Sequence, residues 1–134
     1  MAYVSKENKA EKAPRLRALA KQFGLKATVA RRHHSTLVLN IQQGSIDFIG
    51  NYMQATEGKR EVESLGRHLT YLGVNSYWFH EHFTGKALEF LTAAMEIMNE
   101  GNHDRSDGQT DYFDIGWYCD INIGHWNKPY VLVD

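Results

Sequence analysis

The amino-acid sequence predicts an α+β domain, a small antiparallel sheet with helices packed on one of its faces. Three observations carry that prediction. Two short alternating runs flank Arg31–Ser35 and read as a β-hairpin over 25–41. A third run, 112–123, places Phe113, Ile115, Trp117, Cys119, Ile121 and Ile123 at every second position, the signature of a strand with one buried face. Two further segments carry apolar residues at helical spacing, and strands and helices do not alternate regularly, which favours α+β over α/β.

The first helix is marked by Leu16, Leu19, Ala20 and Phe23 at i, i+3, i+4 and i+7. Ser5 suits its cap, Glu7 its first turn, and Gly24 the left-handed residue past its end. Pro14 either kinks one long helix or opens a shorter one. Lys12, Arg15 and Lys21 are expected on the exposed side. In the hairpin, Leu25, Ala27 and Val29 alternate with Lys26, Thr28 and Ala30, and Leu37, Leu39 and Ile41 with Val38 and Asn40. Arg31, Arg32, His33 and His34 are thereby expected at its tip. Gly44 ends the second run, and Ser45 is expected to cap a short helix bearing Ile46, Ile49 and Met53.

Residues 54–68 are polar and give no assignable pattern. Leu69–Phe83 holds five aromatic residues, too many to lie in water without packing on something. Thr84 is the expected cap of the second main helix. Leu88, Leu91, Met95 and Met98 line one of its faces, with Phe90, Ala94 and Ile97 beside them, and Gly101 closes it. Residues 101–111 read as a loop. After the long strand, 124–129 turns the chain and Tyr130–Val133 is expected to pair back as a short strand. No internal repeat or linker interrupts the 134 residues, so one domain over 1–134 is expected.

Charge is distributed unevenly. Residues 1–34 hold nine Lys/Arg against Glu7 and Glu11, a balance of +7, whereas the remainder carries −8. Such asymmetry suits a basic surface that meets an anionic partner, although the two parts also neutralise each other within one fold. The expected working surface comprises Arg31, Arg32, His33 and His34, with Lys12, Arg15, Arg17 and Lys21 added by the first helix. Tyr118 and Trp126 are candidates for stacking or contact with the partner.

Catalytic signatures are weak. His80 and His82 would share a face if extended, with His68, His103 or Asp104 as a third ligand, but the spacing is not that of the helical zinc motif. Asp104, Asp107, Asp111 and Asp114 lack the order of a calcium loop. Cys119 is the only cysteine, which excludes an intramolecular disulfide, and its place on the apolar side of a strand predicts an inert thiol. No catalytic residues, metal or cofactor are therefore expected. A small metal-dependent hydrolase or nuclease built on His80, His82 and acidic neighbours is the alternative. No window approaches the length of a membrane span and no signal-like apolar stretch opens the sequence, so a cytoplasmic protein is expected.

Three stretches taken together resemble a known family: GLKATVARRHHSTLVLNIQQGSIDF (24–48), SDGQTDYFDIGWYCDINIG (106–124) and HWNKPYVL (125–132). They are similar to a small domain associated with the large polyvalent proteins of phages and conjugative plasmids, which also occurs as free-standing short proteins. The resemblance covers both ends of the sequence and matches 54–105 weakly. It implies an accessory role without established catalytic residues. The context it implies is a mobile-element product in the host cytoplasm that binds and blocks a host protein or ribonucleoprotein complex, or host nucleic acid. An anti-defence inhibitor of the anti-CRISPR or anti-restriction type would fit that context.

Overall fold

The computed structural model describes residues 3–55, 71–74, 79–102, 116–125 and 127–133. Helix α1 (Lys6–Gln22) is followed by β1 (Leu25–Arg32), β2 (Thr36–Gly44), α2 (Phe48–Ala55), β3 (Leu72–Val74), the one-turn α3 (Phe79–His82), α4 (Gly85–Asn99), β4 (Tyr118–Ile123) and β5 (Val131–Leu132). The α+β class holds, with helices packed on the sheet.

The sheet has the order β1-β2-β4-β3, and β5 continues the β4 side of β2. β1 and β2 pair antiparallel, as do β3 and β4. The expected wholly antiparallel sheet is corrected at its centre, where β4 runs parallel to β2, as does β5. A long connection containing α2 and α4 separates β2 from β4, and only such a crossover lets a strand return in the same direction.

Register determines the two faces. Val29, Leu39 and Ile121 lie abreast, as do Ala27, Ile41 and Ile123. These residues belong to one apolar cluster with Leu16 and Ala20 of α1 and Phe90, Leu91, Ala94 and Met98 of α4. Phe48 sits at its centre, edge-on to Phe83, Phe90 and Tyr130. The opposite face carries rows of registered residues: Arg32, Thr36 and Tyr118; Ala30, Val38 and Asp120; Thr28, Asn40 and Asn122.

Local chemistry explains the element ends. Ser5 accepts from the Asn8 amide at 3.0 Å and caps α1, which continues through Pro14. Gly24 adopts φ +74°, and a side chain there would collide with Ser45 Oγ. The cap of α2 is Asp47, whose carboxylate accepts from the Gly50 amide at 2.9 Å. Ser45 instead donates to the Phe23 carbonyl. Thr84 precedes α4 without a side-chain cap bond. Asn51 holds it, accepting from the Thr84 amide at 2.9 Å.

Lys12 is corrected from exposed to buried, with 2% of its surface accessible. Its stem lies along the core and its ammonium donates to Asn8 Oδ1 and, at 2.8 Å, to the Glu100 carbonyl at the end of α4. A long amphipathic side chain can cover apolar surface while its head finds partners. The expected strand 112–123 is a strand from Tyr118 onward; 112–115 lie outside the described residues. Trp117, just before it, is buried and donates from Nε1 to the Met98 carbonyl at 2.9 Å.

Candidate functional site

The hairpin turn is tighter than the sequence reading implied. Arg31 and Arg32 remain in β1, paired with Leu37 and Thr36. The turn itself is carried by His33 and His34, at φ 53° and 61°, and the Ser35 amide donates to the Arg32 carbonyl at 3.2 Å. Two successive positive φ values are those of a primed turn, which matches the twist of a hairpin. Both imidazoles are exposed.

Because side chains alternate along a strand, Arg31 and Arg32 face opposite sides of the sheet. Arg31 lies on the helix side, half-buried, and donates to the Val4 carbonyl at 3.1 Å. Arg32 lies on the open side and forms an ion pair with Asp120 of β4. That pair crosses β2, the strand between them. Arg15 is committed elsewhere: it pairs with Glu11 and, at 2.7 Å, with Glu100. Its hydrogen bond holds the Glu100 carboxyl below its ordinary range. The structure therefore does not gather Arg15, Arg31, Arg32, His33 and His34 on one surface. Tyr118 is exposed on the open face, at the β4 end of the Arg32 row. Trp126 lies outside the described residues.

A different set of cations does converge. Lys6, Lys9 and Arg17 of α1 and Arg31 of β1 line a groove of about 760 Å³ between helix and strand. No Asp or Glu lines it among the described residues, and none of the four cations is in a salt bridge there. The sequence points to Arg31 and Arg17 but not to Lys6 and Lys9, nor to the grouping of all four. The signal was available, since 6, 9 and 17 fall on neighbouring helical positions and Arg31 shares a face with Val29.

A second concavity, of about 880 Å³, occupies the open face of the sheet. Thr28, Val38, Asn40 and Asn122 line it, and Lys26, Arg32 and Lys128 are its cations. Its lining also lacks carboxylates among the described residues. Asn122 donates to Asn40 Oδ1 at 3.1 Å. Ala30 borders both concavities, so the two surfaces meet along β1.

The remaining candidates behave differently. His80 and His82 sit on the one-turn helix α3, not on an extended segment, so the face-sharing of i and i+2 is lost. The His82 ring packs edge-on against Tyr52. No group of three or more metal-ligating side chains occurs among the described residues. His68, His103, Asp104, Asp107, Asp111 and Asp114 lie outside them. Cys119 is buried, with Sγ 3.7 Å from the Met98 carbonyl, and desolvation pushes its pKa up to about 11. It is protonated at neutral pH and a poor nucleophile. Among the described residues no helix is long and apolar enough to cross a membrane.

No family model matches the chain, and no curated protein or solved structure matches it.

Proposed function

We propose that this chain is a non-catalytic accessory protein that binds an anionic host macromolecule, nucleic acid or a nucleoprotein complex, through its basic surface. The observation that carries the reading is the groove between α1 and β1, where Lys6, Lys9, Arg17 and Arg31 converge without a lining carboxylate among the described residues. Clustered cations on one surface are what a polyanion requires, because each neutralised phosphate releases condensed counterions. The buried, protonated Cys119 supports the non-catalytic part. The resemblance to accessory domains of phage and plasmid proteins supplies the biological setting, in which occupancy of a host nucleoprotein would block a defence system.

The test is the salt dependence of binding to mixed-sequence nucleic acid. Four phosphate contacts give a slope of log affinity against log salt of about −3. Lys9→Glu with Arg17→Glu should reduce that slope by about 2 and leave the melting temperature nearly unchanged, since Arg17 is exposed, Lys9 is half-buried and neither is in a salt bridge. Binding that ignores both salt and the double reversal would overturn the reading.

A further inference from the structure

We propose that the open face of the sheet is a platform for the bases of an unpaired nucleic-acid strand, whose phosphates follow the cations along β1. The inference rests on the polyanion reading above and deepens it by naming the form of the nucleic acid.

A phosphate backbone alone needs only clustered cations. The groove beside α1 already supplies cations, and a duplex presents mainly phosphates to such a surface. The open face offers more than charge. Its middle row holds half-buried Ala30 and buried Val38 beside Asp120, and the next row is Thr28, Asn40 and Asn122, all at least partly accessible. Carboxamides provide donors and acceptors together, the chemistry that matches the Watson–Crick edge of an exposed base. The bond between Asn122 Nδ2 and Asn40 Oδ1 leaves Asn40 Nδ2 and Asn122 Oδ1 available, one donor and one acceptor side by side.

Stacking and charge complete the set. Tyr118 exposes 46% of its surface on this face, a ring on which a base can stack. Lys26 and Lys128 supply cations to the concavity. The one carboxylate among the described strand residues of this face, Asp120, is neutralised by Arg32. A duplex is the poorer fit for the amides, because its Watson–Crick edges are already paired. Ala30 borders both concavities, so a strand can pass from the face to the basic groove around one β-strand edge.

Fluorescence anisotropy decides the matter with an unstructured oligonucleotide of about 20 nucleotides, longer than a typical single-strand site. It is presented as DNA, as RNA, and annealed to its complement, with a poly-glutamate peptide of similar length beside it. The expected result is an unpaired strand bound tenfold or more tighter than the duplex, with the DNA and RNA arms identifying the sugar. Thr28→Glu, which puts a carboxylate on the face, and Tyr118→Ala should each weaken the unpaired strand. Thr28→Glu should do so by at least tenfold, equivalent to about 1.4 kcal/mol, and leave duplex affinity unchanged. Circular dichroism checks folding, and exposed Tyr118→Ala keeps the test decisive if Thr28→Glu fails to fold. Equal affinity for duplex and single strand, with both variants silent, overturns this inference while the polyanion reading stands. Preference for poly-glutamate over both nucleic acids also overturns it, in favour of an acidic protein segment. If Lys9→Glu with Arg17→Glu alters no binding at all, it is the polyanion reading that fails.

Discussion

The ammonium of Lys12 sits 4.7 Å from the centre of the Trp117 ring. The contact joins three elements, because the same ammonium bonds the Glu100 carbonyl at the end of α4 and the Trp117 indole bonds Met98 in its last turn. Lys12 thus acts as a core residue. Lys12→Ala is expected to destabilise the fold by about 2 kcal/mol, from lost packing and an unpaired carbonyl. Lys12→Met should cost less than half of that, because it keeps the stem. Trp117→Ala should cost about 3–5 kcal/mol. Urea denaturation of the three variants measures these differences.

Two acids, buried Cys119 and half-buried Tyr130, make stability fall at high pH. Desolvation raises the Cys119 thiol from 9.0 to about 11, and Tyr130, whose hydroxyl donates to the Ile46 carbonyl, from 10.0 to about 12. Each group stabilises the fold fully below its unfolded value, and the contribution is lost as pH rises through the folded one. The denaturation midpoint should therefore fall between about pH 9 and pH 12, with Cys119→Ala flattening the part between 9 and 11. Slow labelling of the native thiol at pH 8 and fast labelling in denaturant provide the independent check.

Arg32 and Asp120 close an ion pair across β2, and both side chains remain partly exposed. The coupling between them should be about 0.2–1 kcal/mol, the range for such pairs. A double-mutant cycle with Arg32→Ala and Asp120→Ala measures it. Arg32→Glu should lower stability because it sets two carboxylates against each other. Asp120→Arg added to Arg32→Glu should restore it.

The hairpin turn holds two non-glycine residues at positive φ. Histidine tolerates that region poorly compared with glycine, and Asn-Gly is the preferred pair for such turns. Replacing His33 and His34 by Asn and Gly should raise stability by about 1 kcal/mol. If thermal melts showed no gain, the imidazoles would be making compensating contacts.

Where apolar residues repeat strictly, the sequence was a good guide. The stripe of Leu16 and Ala20, the broad face around Leu91 and Met95, and the alternation of Cys119, Ile121 and Ile123 all map onto the buried cluster. Alternation reports which face a residue takes but not which way the neighbouring strand runs, so the parallel pairing of β2 with β4 stayed hidden. Charge also misled. Lys12 looked solvated because nothing in the sequence announces a carbonyl 88 residues away as its partner. Arg31 and Arg32 adjoin the turn in sequence, yet extending the period of two by two residues separates them onto opposite faces. The basic groove required α1 and β1 to be placed side by side, which is tertiary information.

The parallel seam has a kinetic consequence. It sets Thr36 against Tyr118, about 80 positions further along the chain. The β1–β2 hairpin can close from local contacts within microseconds, but its apolar face stays wet until the distant strand arrives. Contacts so far apart carry a loop-closure penalty that slows the final step. The nascent protein therefore passes through a stage in which Leu37, Leu39 and Ile41 lack their β4 neighbours, and at that stage an unpaired strand side invites self-association.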